Sequence, residues 1–158
     1  MTPAATARRF YEAFARHDAA TMASCYAPDA TFADPAFGTL TGPEVPAMWA
    51  MLLARSQGKL TVTYVIESAD ERSAHVRWHA TYPFSRTGRT VHNIVRSHLL
   101  CTAEGLIATQ TDRFDLWRWA RQALGLPGWL VGWTGAFRAK LQAQARAGLA
   151  AYRAQHPH

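Results

Sequence analysis

Two hydrophobic periods follow one another along this chain of 158 residues, and their order is the tightest constraint on what it can fold into. Up to Leu53 apolar side chains recur at helical spacing, and from Lys59 onward they alternate. Ala7, Phe10, Tyr11 and Phe14 stand at i, i+3, i+4 and i+7, the stripe of a helix with one buried face that should end near Arg16. Asp18 is placed to cap a second helix running through Met22 and Tyr26, with Pro28 and Asp29 closing it. A short strand over residues 30–34 then enters a loop rich in Pro and Gly. Gly42, Pro43 and Glu44 open a third helix through Leu53, with Pro46 in its tolerant first turn. Residues 60–68, 73–84, 90–102 and 106–114 read as four strands joined by turns at Asp70-Glu71, Thr87-Gly88 and Glu104-Gly105, which makes an antiparallel meander. An order of helices first and sheet second predicts an α+β domain, its helices packed on one face of a curved sheet. Beyond Asp115, a helix cap, one helix reaches about Leu124 and the stretch from Gly125 to Gly128 breaks it. A final helix from Thr134 is expected to bury Phe137, Leu141, Ala145, Leu149 and Tyr152.

Charge is divided unevenly over this pattern. The chain has 17 Lys plus Arg against 11 Asp plus Glu, a formal charge of +6. Residues 1–115 hold all 11 acids and 11 of the bases; the rest hold no acid and 17 − 11 = 6 bases: Arg118, Arg121, Arg138, Lys140, Arg146 and Arg153. A neutral body with a basic tail excludes a nucleic-acid-binding domain, whose bases would spread over one folded face. Length suffices for a core without metal or disulfide staples. The two cysteines, Cys25 and Cys101, form no disulfide framework and suit a reducing compartment, a single bridge remaining open. Arg8, Arg9 and Glu12 interrupt the N-terminal apolar residues, and no apolar run reaches about 18 residues, so neither a signal peptide nor a membrane span is expected and the chain reads as cytoplasmic. Trp117, Trp119, Trp129 and Trp133 beside basic residues also occur in interfacial helices. The Ala and Leu stripe of the last helix fits packing over the domain or across a dimer better, so membrane contact is not expected.

Two segments, "RFYEAFARHDAATMASCYAPDATFADPAFGTLTG" and "EGLIATQTDRFDLW", resemble the nuclear transport factor 2-like superfamily, which includes SnoaL-like cyclases, ketosteroid isomerases and limonene epoxide hydrolase. The resemblance spans roughly residues 5 to 117. It implies a cone-shaped domain over residues 1–116, three helices closing a pocket against a strongly curved antiparallel sheet, and a small apolar ligand. It also implies a homodimer through the outer sheet face. Residues 117–158 would be a basic, Trp-rich helical extension packed on the same domain. Set against ketosteroid isomerases, Asp34 falls on the general base, while Phe10 and Ser97 replace the oxyanion-hole tyrosine and aspartic acid, so steroid-type isomerisation is not expected. Against limonene epoxide hydrolase, the run Asp112-Arg113-Phe114-Asp115-Leu116 puts Asp112 on the water-activating aspartate. That hydrolase's other polar residues fall on Trp78, Ala80, Phe32 and Asp34, so most of its machinery is replaced.

Strand alternation gives the same pocket from the residues themselves. Ala108, Gln110, Asp112 and Phe114 share one face, Val95, Ser97 and Leu99 form a second inward row with Asn93, and Trp78, Ala80 and Tyr82 a third. Phe10, Phe14, Phe32 and Trp49 complete an aromatic lining. An acid on such a face is expensive unless hydrogen-bonded or used, and two neighbouring acids should have separated pKa values, one serving as base and one as acid. Asp112 and Asp34 are therefore the candidate catalytic pair. The competing structural readings are a turn carboxylate capping "DPAFG" for Asp34 and a satisfied buried acid for Asp112, and for both the functional reading is preferred. His75 and His79, and His92 and His98, lie with Arg77 and Arg96 on the opposite face, as an outer or dimer surface rather than a zinc site. Cys25 reads as a core thiol, and no Gly-rich phosphate loop calls for a nucleotide, so no cofactor is expected. The expected function is binding of a small apolar molecule, with cofactor-independent isomerisation, cyclisation or water addition by Asp112 and Asp34. A non-catalytic binding or dimeric scaffold domain is the alternative.

Overall fold

The Thr2 side chain accepts from the amide of Ala5 and starts α1 (Pro3–Ala15), whose Phe10, Tyr11 and Phe14 are buried as one stripe. Asp18 accepts from the Thr21 amide at 3.0 Å and starts α2 (Ala19–Ser24). These elements belong to a computed structural model that describes residues 1–157. The second helix is shorter than its apolar spacing predicts. Tyr26, Pro28 and Asp29 belong instead to the strand β1 (Tyr26–Asp34), and the Pro and Gly loop contains a further strand, β2 (Gly38–Thr41). Pro28 is tolerated because it falls in an irregularity of pairing between Tyr26 and Thr31, where no ladder bond is required. The third helix, α3 (Glu44–Ser56), begins as expected at Pro43 and ends at Gln57 in a left-handed conformation.

The meander follows closely the expected strands: β3 (Thr61–Ala69), β4 (Ser73–Pro83), β5 (Thr90–Cys101) and β6 (Ile107–Arg113), each antiparallel to the next. The sheet is nevertheless mixed. Its order is β2-β1-β6-β5-β4-β3, and β1 runs parallel to β6, with Phe32 opposite Gln110 and Ala33 opposite Thr111. The sheet is open, with β2 and β3 as its edges.

Aromatic side chains from four elements, α1, α3, β1 and β4, meet on the inner face. The Phe14 ring lies 5.0 Å from Trp49 and 5.2 Å from Trp78, and Phe10 and Phe32 each lie 5.6 Å from Trp49, all edge to face. Such geometry adds roughly 0.5–1.5 kcal/mol per pair beyond the burial of ring area. The helices α1 and α3 are thus fixed on the sheet by rings that interdigitate.

Asp115 caps α4 (Leu116–Leu124), its carboxylate accepting from the Arg118 amide at 3.0 Å. The predicted break is itself structured: α5 (Leu126–Val131) carries Pro127 in its first turn and folds back on α4. The close approach needs glycine, since a Cβ on Gly128 would stand 2.0 Å from the Ala120 carbonyl oxygen and one on Gly132 would stand 2.6 Å from the Ala120 Cβ. From Gly135 to Gln155 runs α6, capped by Thr134. It buries Leu149 fully and Phe137, Leu141, Ala145 and Tyr152 only in part, less than its stripe predicts, because it lies outside α3 with one face to solvent. Polar contacts supplement this packing: Arg146 donates to the carbonyl of Thr39 at 2.8 Å, and Gln142 to that of Pro35 at 3.2 Å.

Substituting Gly128→Ala should force α5 off α4, because the obstacle is backbone that no side-chain rotation removes. Overpacking of this kind costs about 1–3 kcal/mol. A lowered melting temperature together with faster protease cleavage between residues 125 and 133 is the expected result; unchanged resistance would refute the close packing.

Candidate active site

Parallel pairing of β1 and β6 determines the site. Continuing its register beyond Ala33 and Thr111 sets Asp34 level with Asp112, on the same face as Phe32 and Gln110. By strand alternation the two acids, far apart in sequence, fall on neighbouring strands and on one face, near enough for the charge of Asp34 to act on Asp112.

Asp112 is 3% exposed and lies at the centre of a polar chain inside the aromatic cluster. Trp78 Nε1 donates to Ser97 Oγ at 2.8 Å, and the Ser97 hydroxyl donates to Asp112 Oδ1. From the other side Trp49 Nε1 donates to Tyr26 Oη at 2.8 Å, Tyr26 donates to Gln110 Oε1, and Gln110 Nε2 donates to the same Oδ1 at 3.0 Å. Each indole has only a hydrogen to give, so the direction of both chains is set at their ends and arrives at Oδ1 as a donor. Asp112 Oδ2 takes no hydrogen bond from the described residues. A proton can bind or leave there without disturbing either chain.

Tyr11 adds an unspent group. Its hydroxyl is buried and makes no hydrogen bond of good geometry among the described residues, although Ser97 stands close enough to ease its pKa slightly. Burial pushes its pKa well up, and the charge of Asp112 pushes it further, so it remains a neutral phenol near the acid.

Desolvation dominates both carboxyl groups. Burial raises Asp112 to about 7, against the pull of Ser97 and Gln110, and the nearby charge of Asp34 adds to the rise. Burial raises Asp34 to about 6, against the backbone amides of Phe37 and Ala36. Those amides donate to Asp34 Oδ1 at 2.6 and 2.9 Å, so Asp34 does cap the DPAFG loop, through one of its two oxygens. The structural reading of Asp34 and its place beside Asp112 are compatible.

Other expected lining residues divide by position. Phe10, Phe14, Phe32, Trp49, Trp78 and Val95 are buried around the acids. Ser97 and Gln110 turn out to be the direct partners of Asp112. Tyr82 and Phe114 sit at the margin: Tyr82 accepts from Trp119 of α4 at 2.7 Å, and Phe114 borders a recess of about 270 Å³ with Trp117 and Trp133. Tyr11 and Tyr26 are the polar members that sequence reading missed. Tyr11 was legible only as part of a helical stripe, and Tyr26 was assigned to the wrong element.

The histidines lie on the outer face as their alternation requires. The His75 and His98 rings stack at 4.3 Å, and His79 Nδ1 approaches His92 Nε2 at 2.9 Å. Both cysteines are free thiols, and the Cys25 thiol donates to the Thr21 carbonyl at 3.3 Å.

Asp112 makes stability depend on pH in a direction that can be checked. Its folded pKa, about 7, lies above the ordinary 3.8, so between those values the folded state binds the extra proton. The fold loses stability as pH rises through that window, at most on the order of 4 kcal/mol. Asp112→Asn keeps an oxygen for Ser97 and Gln110 and removes the titration. The variant should melt higher than the parent at about pH 8, with a flatter stability profile between about pH 4 and 7. Parallel profiles for the two proteins would show that Asp112 is not a strained acid.

Comparison with known proteins gives the same fold. No curated protein matches the chain. Among solved structures it is similar to the epoxide hydrolase/cyclase-like enzyme SalBIII of pyran ring formation in salinomycin, with a TM-score of 0.63 and 12% identity over 72% of this chain and 91% of that one. An NTF2-like protein from Burkholderia xenovorans has a TM-score of 0.61 and 20% identity over 77% and 95% of the two chains. An M. tuberculosis LEH-like epoxide hydrolase has a TM-score of 0.57 and 21% identity over 79% and 92%. At these identities the likeness establishes the fold. The model of the SnoaL-like domain matches residues 7–110, which carry both helices of the aromatic cluster and every partner of Asp112, and the chain belongs to that family.

Proposed function

We propose that this protein is a cofactor-independent acid/base enzyme acting on a small, largely apolar molecule, by isomerisation, cyclisation or water addition. The observation that carries this reading is Asp112: a buried carboxyl with one oxygen held by two donors, the other unengaged, and a pKa near 7. A group that titrates near neutrality holds and releases a proton with little penalty in either direction, which is what general catalysis needs. Similarity to an epoxide hydrolase/cyclase-like enzyme and to an epoxide hydrolase supports the reaction class.

Asp112 and Asp34 titrate in the same range, at about 7 and about 6, each raised chiefly by its own burial. Between those values one carboxyl is ionised and the other protonated. The ionised member takes a proton from a carbon acid or an attacking water or hydroxyl. The protonated member gives one to the oxygen that develops charge. Tyr11 Oη is a further neutral donor for that oxygen, with no bond of its own to lose.

A second reading, a scaffold whose interior is simply filled, is favoured by the ring-to-ring packing of Phe10, Phe14, Trp49 and Trp78. That packing limits an enzyme's substrate to a small molecule or one that displaces an aromatic ring.

A panel of small epoxides, hydroxy-epoxides and enolisable ketones would separate the two. On a turned-over substrate, kcat/KM should be bell-shaped with its maximum between about pH 6 and 7, and Asp112→Asn should lower it by about a hundredfold or more. Full turnover by a folded Asp112→Asn protein would remove Asp112 from the chemistry. Absence of turnover and of thermal stabilisation by any panel member would favour the filled scaffold.

A further inference from the structure

Large apolar side chains on the surface are scattered except in one place. Leu126, Trp129, Leu130, Val131 and Trp133 are 69, 52, 66, 45 and 69% exposed, whereas the rest of the molecule exposes only Met1, Val65, Ile94 and Leu100 to a comparable degree. The cluster is the outer side of α5 and its exit. It is not a loose loop, because Gly128 and Gly132 lock it against Ala120, and the Trp117 indole donates to the Trp129 carbonyl at 3.3 Å.

Beside it lies a recess of about 320 Å³ lined by Arg89, Arg118, Arg121, Gln122 and Trp129. None of these arginines has a carboxylate partner: among the described residues the one ion pair is Arg16 with Asp18, elsewhere. The Arg121 guanidinium lies against the rings of Trp117 and Trp129, at 4.3 and 4.7 Å, in the corner the two perpendicular rings make, and among the described residues its buried Nε has no hydrogen-bond partner. Arg89 and Arg118 are steadied through one hydrogen each, to the carbonyls of Gln122 and His92, at 2.8 and 2.9 Å. The guanidiniums are held in place with donors to spare, and no acid follows Asp115 in the chain to neutralise them.

We propose that the α4–α5 corner docks on the surface of an anionic phospholipid bilayer, with the apolar side of α5 entering the boundary of headgroups and acyl chains and the arginine recess receiving lipid phosphates. Charge complementarity selects this occupant. A second copy on the same patch would oppose arginines to arginines without an acid between them. Tryptophans at the edge of an apolar face with basic residues behind them match the layered polarity of a bilayer interface. Among the described residues no helix is long and apolar enough to cross a membrane, so the contact proposed is a peripheral one. The element concerned is α5, not the last helix, whose Ala and Leu stripe faces the domain.

The test is cosedimentation of the full chain with vesicles of phosphatidylcholine alone and of phosphatidylcholine mixed in equal parts with phosphatidylglycerol. Binding to the mixed vesicles only, weakened by added salt, is expected. The exposed double substitution Leu130→Ser with Trp133→Ser should reduce binding about tenfold or more while leaving the melting temperature unchanged. Arg118→Gln with Arg121→Gln should reduce it comparably, and if that pair lowers the melting temperature, the salt dependence of the parent still reports the charge contribution. Inorganic phosphate at millimolar levels should not displace the protein. Failure to bind mixed vesicles, equal binding to both kinds, or indifference to the α5 substitutions would overturn the proposal. So would a dimer or a soluble acidic partner that uses this patch while vesicles are ignored.

Discussion

Everything distinctive about the interior depends on the parallel contact between β1 and β6. A meander alone would place Gln110 and Asp112 at the margin of four antiparallel strands. The crossover strand covers that margin, bringing Tyr26 to Gln110 at one end and Asp34 to the level of Asp112 at the other. The same strand supplies Phe32 to the ring cluster that seats α3. An isolated acid would be costly there. Two directed hydrogen-bond chains lower the cost without abolishing it, and the remainder appears as a carboxyl that titrates near neutrality.

Strength and weakness of sequence reading fall along the same division. Periodicity marks α1, α6 and the four meander strands, and opening and capping residues mark α3 and α4, because these signals are local in sequence. Alternation also put Ser97, Gln110 and Asp112 on one inner surface, before any partner of Asp112 could be named. What escaped is what depends on contacts distant in sequence. Tyr26 continues the helical spacing of Met22, and only pairing with Ile107, far along the chain, makes it the first residue of a strand. Gly38–Thr41 is a strand because β1 offers an edge. Residues 125–128 carry the usual marks of a break, yet Pro127 falls in the first turn of a helix and Gly128 lets it lie on α4. Resemblance supplied the two acids and their chemistry, while the structure supplied the directed donors and the unspent phenol of Tyr11.

Charge takes on a different meaning once placed in space. The excess of bases after Asp115 is not a uniform tail. Arg118 and Arg121 belong to a recess beside an apolar helix, whereas Arg146 is absorbed in backbone contacts at the β2 edge of the sheet.

Those backbone contacts give α6 a significance its sequence position conceals. Arg146 reaches the carbonyls of Phe37 and Thr39, and Gln142 that of Pro35, all within or next to the turn that Asp34 closes. The turn is held from inside by a carboxylate and from outside by a helix more than a hundred residues later. The family domain and the helix beyond it are therefore not interchangeable modules. A chimaera that kept residues 7–110 and exchanged the rest would inherit Asp34 in a turn with its outer brace removed, and a relative with a different C-terminal segment need not share the proton affinity of that acid even where every residue around it is the same.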